Sequence, residues 1–211
     1  MPLTPELVLQ AYGAGIFPMA EHHDDARIHW IDPEHRGVIP LERFHISRSL
    51  RKALLKNPYQ LRFDTDFAAV LSACAAREET WINGTIRSIY LELNQGGHAH
   101  SQEVWHRREL VGGVYGVVLG GAFFGESMFS RADDASKIAL AWLVDRLRLC
   151  GFRLFDTQFL TRHLQSLGGV QISRAQYLDR LASATSAAAD ITKLPVKQTA
   201  YGVIQRNTQT S

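Results

Sequence analysis

The feature that most constrains this fold is a change of apolar period at Gly96-Gly97. Before the glycines, Ile86, Ile89, Tyr90 and Leu93 recur at helical spacing and predict a helix over 85–94. After them, three runs rich in Val, Phe, Tyr and Trp (98–105, 110–119 and 122–129) are separated by turn residues and read as consecutive antiparallel strands. Asp134 then caps a long helix with Leu140, Leu143, Val144 and Leu147 on one face, closed by Gly151. Residues 152–156 read as a short buried strand. Helices over 159–167 and 173–181 follow, the second opened by a capping box of Ser173 and Gln176. Strands grouped between helices in this order predict an α+β fold rather than a doubly wound sheet.

Elsewhere the chain reads as helix and connection. Thr4 and Pro5 open a first helix that stops at Gly13 and Gly15. Residues 16–40, with Pro18, Pro33, Gly37 and Pro40, suit an irregular segment, and a loose boundary falls near Asp32. Helices are expected from Ser47 to Asn57 and from Asp66 to Ala76. The organisation is therefore a small N-terminal unit over 1–32, a main domain over 33–184 and a polar, frayed tail over 185–211. With 211 residues and 45% apolar content, the main domain can bury a full core.

Composition narrows the function classes. No apolar run approaches the roughly 18 residues of a membrane span, and the opening residues hold Thr, Pro and Glu where a signal peptide would be apolar, so a cytoplasmic location without membrane partners is expected. Cys74 and Cys150 have no CxxC partner and are expected as buried thiols. His22-His23-Asp24-Asp25 and His98-Ala99-His100 offer metal-ligand types, but neither has a cysteine or a helical i, i+4 partner, so no metal is assigned. The net charge of +2 is uninformative by itself. Its distribution is not: six basic residues and no acidic one lie between Arg43 and Arg62, and Arg48, Arg51, Lys52 and Lys56 share one side of a helix opposite Leu50, Ala53 and Leu54. That side is either a solvated face or a phosphate-contacting surface.

Polar and glycine-rich motifs interrupt the strand block. Gly112-Gly113 and Gly125 suggest bulges, close approach of a ligand, or ordinary turns. Glu126, between Gly125 and Ser127 and flanked by Phe123, Phe124, Met128 and Phe129, needs a partner. Arg131 or Lys137 would serve, as would the amine of a substrate held in an apolar pocket. Asp156 and Gln158, two apart at a strand end, point to the same face and together grip one group, unless Asp156-Thr157 caps the next helix.

In order along the chain, AYGAGIFPM, HISRSLR, TWI, HAHSQEVW, LVGGVYG, GESMFSRADDASK, FDTQ and HLQSLGG resemble the leucyl/phenylalanyl-tRNA–protein transferase family, from Ala11 to about Leu181. The resemblance implies a GNAT-like C-terminal domain, related to N-acetyltransferases, behind a small N-terminal domain. It implies transfer of Leu or Phe (Met among the alternatives) from aminoacyl-tRNA to the N-terminal Arg or Lys of acceptor proteins, marking them for N-degron degradation, with no cofactor. It makes Asp156 and Gln158 the catalytic pair, with Glu126 orienting the aminoacyl group and the reacting amines. Trp81, Phe123 and Met128 fall at the aminoacyl-adenosine site, with Phe155 and Leu140 counted beside them, and the face of Arg48, Arg51, Lys52 and Lys56 becomes the surface for the tRNA acceptor stem. Met19 stands where many members have tryptophan, which weakens stacking on the terminal adenosine or hands it to Trp30. Thr157 replaces a frequent cysteine and is expected to face away.

An aminoacyl ester is already activated, so the enzyme mainly positions two substrates. Asp156 is the carboxylate expected to align the neutral α-amine, whose pKa is about 7.7 to 8.0, and to help remove its proton. Three other readings stay open. An acetyl-CoA enzyme would need a glycine-rich phosphate loop, where this chain has Asp133 and Asp134. The others are a non-catalytic tRNA-binding module and a related transferase of different specificity.

Overall fold

The computed structural model describes residues 3–25, 27–56, 58–76 and 80–208. The first half of the chain runs α1 (Pro5–Gly13), β1 (Phe17–Met19), β2 (His29–Ile31), β3 (His35–Val38), α2 (Arg48–Lys56), β4 (Gln60–Phe63), α3 (Phe67–Ala75) and α4 (Gly84–Gln95). There follow β5 (Ala99–His106), β6 (Glu109–Leu119), β7 (Ala122–Ser130), α5 (Ala135–Leu149), β8 (Leu154–Gln158), α6 (Arg162–Ser166), β9 (Val170–Ser173), α7 (Arg174–Thr185) and α8 (Ala200–Thr208).

The α+β expectation holds: one seven-stranded sheet in the order β4-β5-β6-β7-β8-β3-β9 lies between two layers of helices, and β1 and β2 pair separately. Every neighbouring pair in the large sheet is antiparallel except β7 and β8. One face buries Tyr12, Phe67, Leu71, Ile86, Tyr90 and Tyr177 from α1, α3, α4 and α7. The other buries Leu50, Leu54, Ile138, Leu147, Leu164 and Val203 from α2, α5, α6 and α8. Gly112 and Gly113 serve this sandwich: a Cβ on Gly112 would lie 2.6 Å from the Ala135 Cβ of α5, and one on Gly113 3.3 Å from a Val70 methyl of α3. These glycines admit helices on opposite faces rather than a ligand, since side chains alternate along a strand.

Several caps follow the local rules. The Thr4 hydroxyl accepts from Leu7 N–H at 3.2 Å, the Ser47 hydroxyl from Leu50 N–H at 3.2 Å, and the Ser173–Gln176 box is present. The expected end of the second helix, Asn57, lies outside the described residues.

Four differences from the expected elements have physical causes. Residues 16–40 are less irregular than their composition suggests, because β1, β2 and β3 are too short for alternation to register, and β3 inserts into the main sheet beside β8. Strands β4 and β9, equally short, were also illegible. Asp134 does not cap α5 by its side chain: its backbone is left-handed at φ 57°, and its carboxylate accepts from Lys137 Nζ at 2.7 Å. Finally, residues 185–208 are no frayed tail. Ile191, Val203 and Ile204 are buried among α2 and α5 residues, so a few apolar anchors outweigh the polar composition around them.

Candidate active site

The site begins where β7 and β8 part. Their parallel register runs through Phe123–Phe155 and ends at Phe124–Asp156, although β7 continues to Ser130 and β8 to Gln158. The separated ends line a cavity of about 1000 Å³. Its apolar lining includes Val114, Met128, Leu140, Phe155 and Leu164, and its polar corner includes Glu126, Thr157 and Gln158.

A β-bulge aims Glu126. Tyr115 pairs with Ser127 and Gly116 with Gly125, so Glu126 is the extra residue on β7. Only glycine fits at position 116, where a Cβ would come 2.2 Å from the Phe124 carbonyl oxygen. The bulge turns the Glu126 carboxylate toward α1 and α4. There Oε1 accepts from the Tyr12 hydroxyl at 2.7 Å and from Gln158 Nε2 at 2.8 Å, and Oε2 accepts from the Tyr90 hydroxyl at 2.8 Å. Arg131 and Lys137, the expected structural partners, are engaged elsewhere: Arg131 lies over the Phe129 ring and Lys137 bonds Asp134.

Burial raises the Glu126 carboxyl from 4.5 to about 7, although the hydrogen bonds from Tyr12, Tyr90 and Gln158 pull the other way. The two tyrosine hydroxyls also lie 2.7 Å apart, and burial raises both well above the usual phenol value. The three oxygen contacts each hold a proton when Glu126 is an acid: it donates to Tyr12, which donates to Tyr90, which donates back to the other carboxyl oxygen. As a carboxylate it leaves two phenol protons for the three contacts. Tyr12 and Tyr90 escaped the sequence reading because they occupy apolar stripes. The signal was available, since a buried tyrosine hydroxyl requires a partner.

The expected shared face of Asp156 and Gln158 is corrected. Strand alternation puts Phe155 and Thr157 on the cavity side and Asp156 on the opposite side, wholly buried and absent from the cavity lining. Gln158 has a left-handed backbone at φ 61°, which breaks the alternation and swings its amide into the cavity. Asp156 nonetheless fixes that conformation: its Oδ1 accepts from Gln158 N–H at 2.7 Å. The rest of its capacity is taken by Arg36, which donates from Nε at 2.9 Å and Nη2 at 2.7 Å, and by the Tyr177 hydroxyl at 2.8 Å. Arg36 lies between the Phe17 and Tyr177 rings, 4.6 and 4.5 Å from their centroids, and donates to the Gly15 carbonyl at 3.1 Å. Burial acts to lower its pKa, but Asp156 outweighs that and raises it. Asp156 is thus a buried partner of Arg36 and an anchor for Gln158, not the cap of a following helix; α6 is capped by Thr161.

Other expected site residues divide clearly. Met19, Trp81, Met128, Leu140 and Phe155 line the cavity. Phe123 does not; its ring packs edge-on to Phe155 at 5.1 Å, behind the wall. Trp30 lines neither this cavity nor its neighbour of about 610 Å³, which adjoins across Met19 and Trp81. Thr157, expected to face away, lines the cavity while its hydroxyl oxygen is buried without a partner among the described residues. Arg48, Arg51, Lys52 and Lys56 are exposed on α2, and none is in an ion pair with a described residue.

Among the described residues, Glu21, Asp25 and His29 alone form a grouping of metal-ligand type. Asp25 there is bonded by both Arg27 Nε and Nη2 at 3.1 Å, so a cation already occupies it. Glu103, from the HAHSQEVW motif, is structural: one oxygen accepts from Thr65 and Asp66 N–H at 2.7 Å each at the start of α3.

A roomy, largely apolar cavity with a buried carboxyl group pushed up to about 7 beside a fixed amide has the features of a site that can hold an apolar group and move a proton. The profile for leucyl/phenylalanyl-tRNA protein transferases matches residues 38–182, and the profile for the N-terminal domain of the same proteins matches residues 1–34. Proteins named leucyl/phenylalanyl-tRNA–protein transferase from Ruegeria pomeroyi and Roseobacter denitrificans are 60% and 57% identical over 211 residues, all of this chain and all of each relative. One from Cereibacter sphaeroides is 58% identical over 209 residues, 99% of this chain and 98% of its own. The chain belongs to the leucyl/phenylalanyl-tRNA protein transferase family and is a transferase.

Proposed function

We propose that this chain moves leucine or phenylalanine from Leu-tRNA or Phe-tRNA onto the N-terminal amine of cytoplasmic proteins that begin with Arg or Lys, marking them for degradation. The observation that carries this is the Glu126–Gln158 contact of 2.8 Å at the polar corner of a cavity otherwise walled by Met128, Leu140 and Phe155. Family membership supports the transferase chemistry. We read the fold as GNAT-like, supported by a mixed sheet whose one parallel pair parts to open the cavity.

The esterified side chain seats against Met128, Leu140, Phe155 and Leu164, where size selects Leu or Phe and desolvation rejects charge. The terminal adenosine extends toward Trp81 and Met19. Gln158 has committed Nε2 to Glu126, so its amide oxygen is the group left to accept from the incoming α-amine. That amine attacks the ester carbonyl and forms the C–N bond. As the tetrahedral adduct collapses, the C–O bond to the terminal ribose breaks. Glu126, titrating near neutrality, takes the proton from the amine and returns it to the departing ribose oxygen, so charge balances across the step. Asp156 is a positioning residue here: it holds the Gln158 backbone and is itself held by Arg36 and Tyr177. The exposed face of Arg48, Arg51, Lys52 and Lys56 meets the acceptor-stem phosphates.

The test is to incubate the protein with labelled Leu-tRNA and peptides that begin with Arg, Lys or Ala. Label on the Arg and Lys peptides alone is expected. Failure to label them, or equal labelling after the tRNA has been deacylated, overturns the assignment.

A further inference from the structure

The basic helix α2 does not rest on the sheet by itself. Its buried side chains Leu50 and Leu54 share a core with α5 and with Ile191, Val203 and Ile204 of the C-terminal segment. That segment is tied to the outer side of α5 by a dense polar latch. Asp145 of α5 is wholly buried, and its Oδ2 accepts from Arg206 Nη2 at 2.8 Å and from Gln198 Nε2 at 2.8 Å. Arg206 Nε bonds its other oxygen at 2.5 Å. Gln198 Nε2 also reaches the Trp142 carbonyl at 2.9 Å, and Arg146 Nη1 holds the Ile191 carbonyl at 2.9 Å. Arg148 joins the pieces, with Nη1 on the Arg206 carbonyl at 2.9 Å and Nη2 on Glu42, in the turn before α2, at 2.8 Å. A buried carboxylate with this many donors is costly to leave half-paired, so the latch closes as a unit. The main family profile ends at residue 182, so Gln198 and Arg206 of the latch lie beyond it, whereas Asp145, Arg146 and Arg148 fall within it.

We infer that the C-terminal segment is a positioning element for tRNA: through the Asp145–Arg206–Gln198 latch it clamps α2 and sets the orientation of the Arg48, Arg51, Lys52 and Lys56 face toward the acceptor stem. The inference rests on the reading that this face meets tRNA. None of the latch residues lines the cavity. The clamp therefore acts on donor binding and leaves the transfer step alone.

The test uses the full chain carrying D145N together with R206M, which removes the buried charge pair without stranding either charge. V203A, which loosens the same packing and keeps the pair, is a second variant should the first not fold. Each is assayed with Leu-tRNA and with leucyl-adenosine, a minimal donor that has no acceptor stem. The expected result is a KM for Leu-tRNA raised by about tenfold, within the usual range of coupling between sites, with kcat within about twofold and transfer from leucyl-adenosine unchanged. Amide exchange should quicken in α2 and α8 and not in β6 or β7. An unaltered KM for Leu-tRNA, or equal losses with both donors, overturns the clamp. R48A with K52A separates the two readings. If that pair leaves the KM for tRNA unchanged, the α2 surface itself is misassigned. If it raises KM while the latch variants do not, the clamp alone fails.

Discussion

Replacing Glu126 with Gln tests the polar corner quantitatively. The carboxyl rises from 4.5 to about 7 on folding, so the folded state binds its proton more tightly than the unfolded chain does. That difference corresponds to roughly 3 kcal/mol. The sign follows from the direction: this contribution to stability is complete below the unfolded value of 4.5 and is lost as pH climbs through about 7. Glutamine keeps the shape and a hydrogen-bonding amide but cannot ionise. Urea unfolding of both proteins at intervals from acid to mildly alkaline pH should show the Gln variant gaining on the parent as pH rises, by up to roughly 3 kcal/mol, with no further change once Glu126 is ionised. Transfer should fall by about 100-fold in the variant, and the ascending limb that Glu126 gives the parent's rate profile near neutral pH should be absent from the variant's. A stability difference independent of pH would refute the raised carboxyl. Full activity in E126Q would refute its role as proton carrier.

Arg36→Met strands a wholly buried Asp156 carboxylate, and should cost about 3 to 5 kcal/mol by denaturant unfolding; a cost below about 1 kcal/mol would mean the pair is not closed in solution. Thr157→Val removes a hydroxyl that has no described partner, and should raise stability by about 1 kcal/mol; a fall in thermal midpoint would show that the hydroxyl is engaged. R48A with K52A should weaken tRNA binding and lower the slope of log affinity against log salt by roughly one unit for each phosphate no longer neutralised. An unchanged slope would count against the basic face.

Much of this protein was legible in the order of its residues. The switch of period at Gly96-Gly97 specified the central meander, because long runs rich in Val, Phe, Tyr and Trp bounded by turn residues are a local signal. The caps at Thr4, Ser47 and Ser173 were equally local. Glu126 announced itself as a carboxylate among aromatic residues, and the basic run marked α2. What tertiary structure alone decided was which groups meet. The bond from Tyr12 to Glu126 spans 114 residues and the pair of Arg36 with Asp156 spans 120, separations at which no period carries information. Strand parity would have placed Asp156 and Gln158 together, yet a single left-handed backbone at Gln158 sent one side chain into the cavity and left the other behind it. The polar C-terminal composition hid Ile191, Val203 and Ile204, since burial is conferred by the surface a residue lands on and not by its neighbours in the chain.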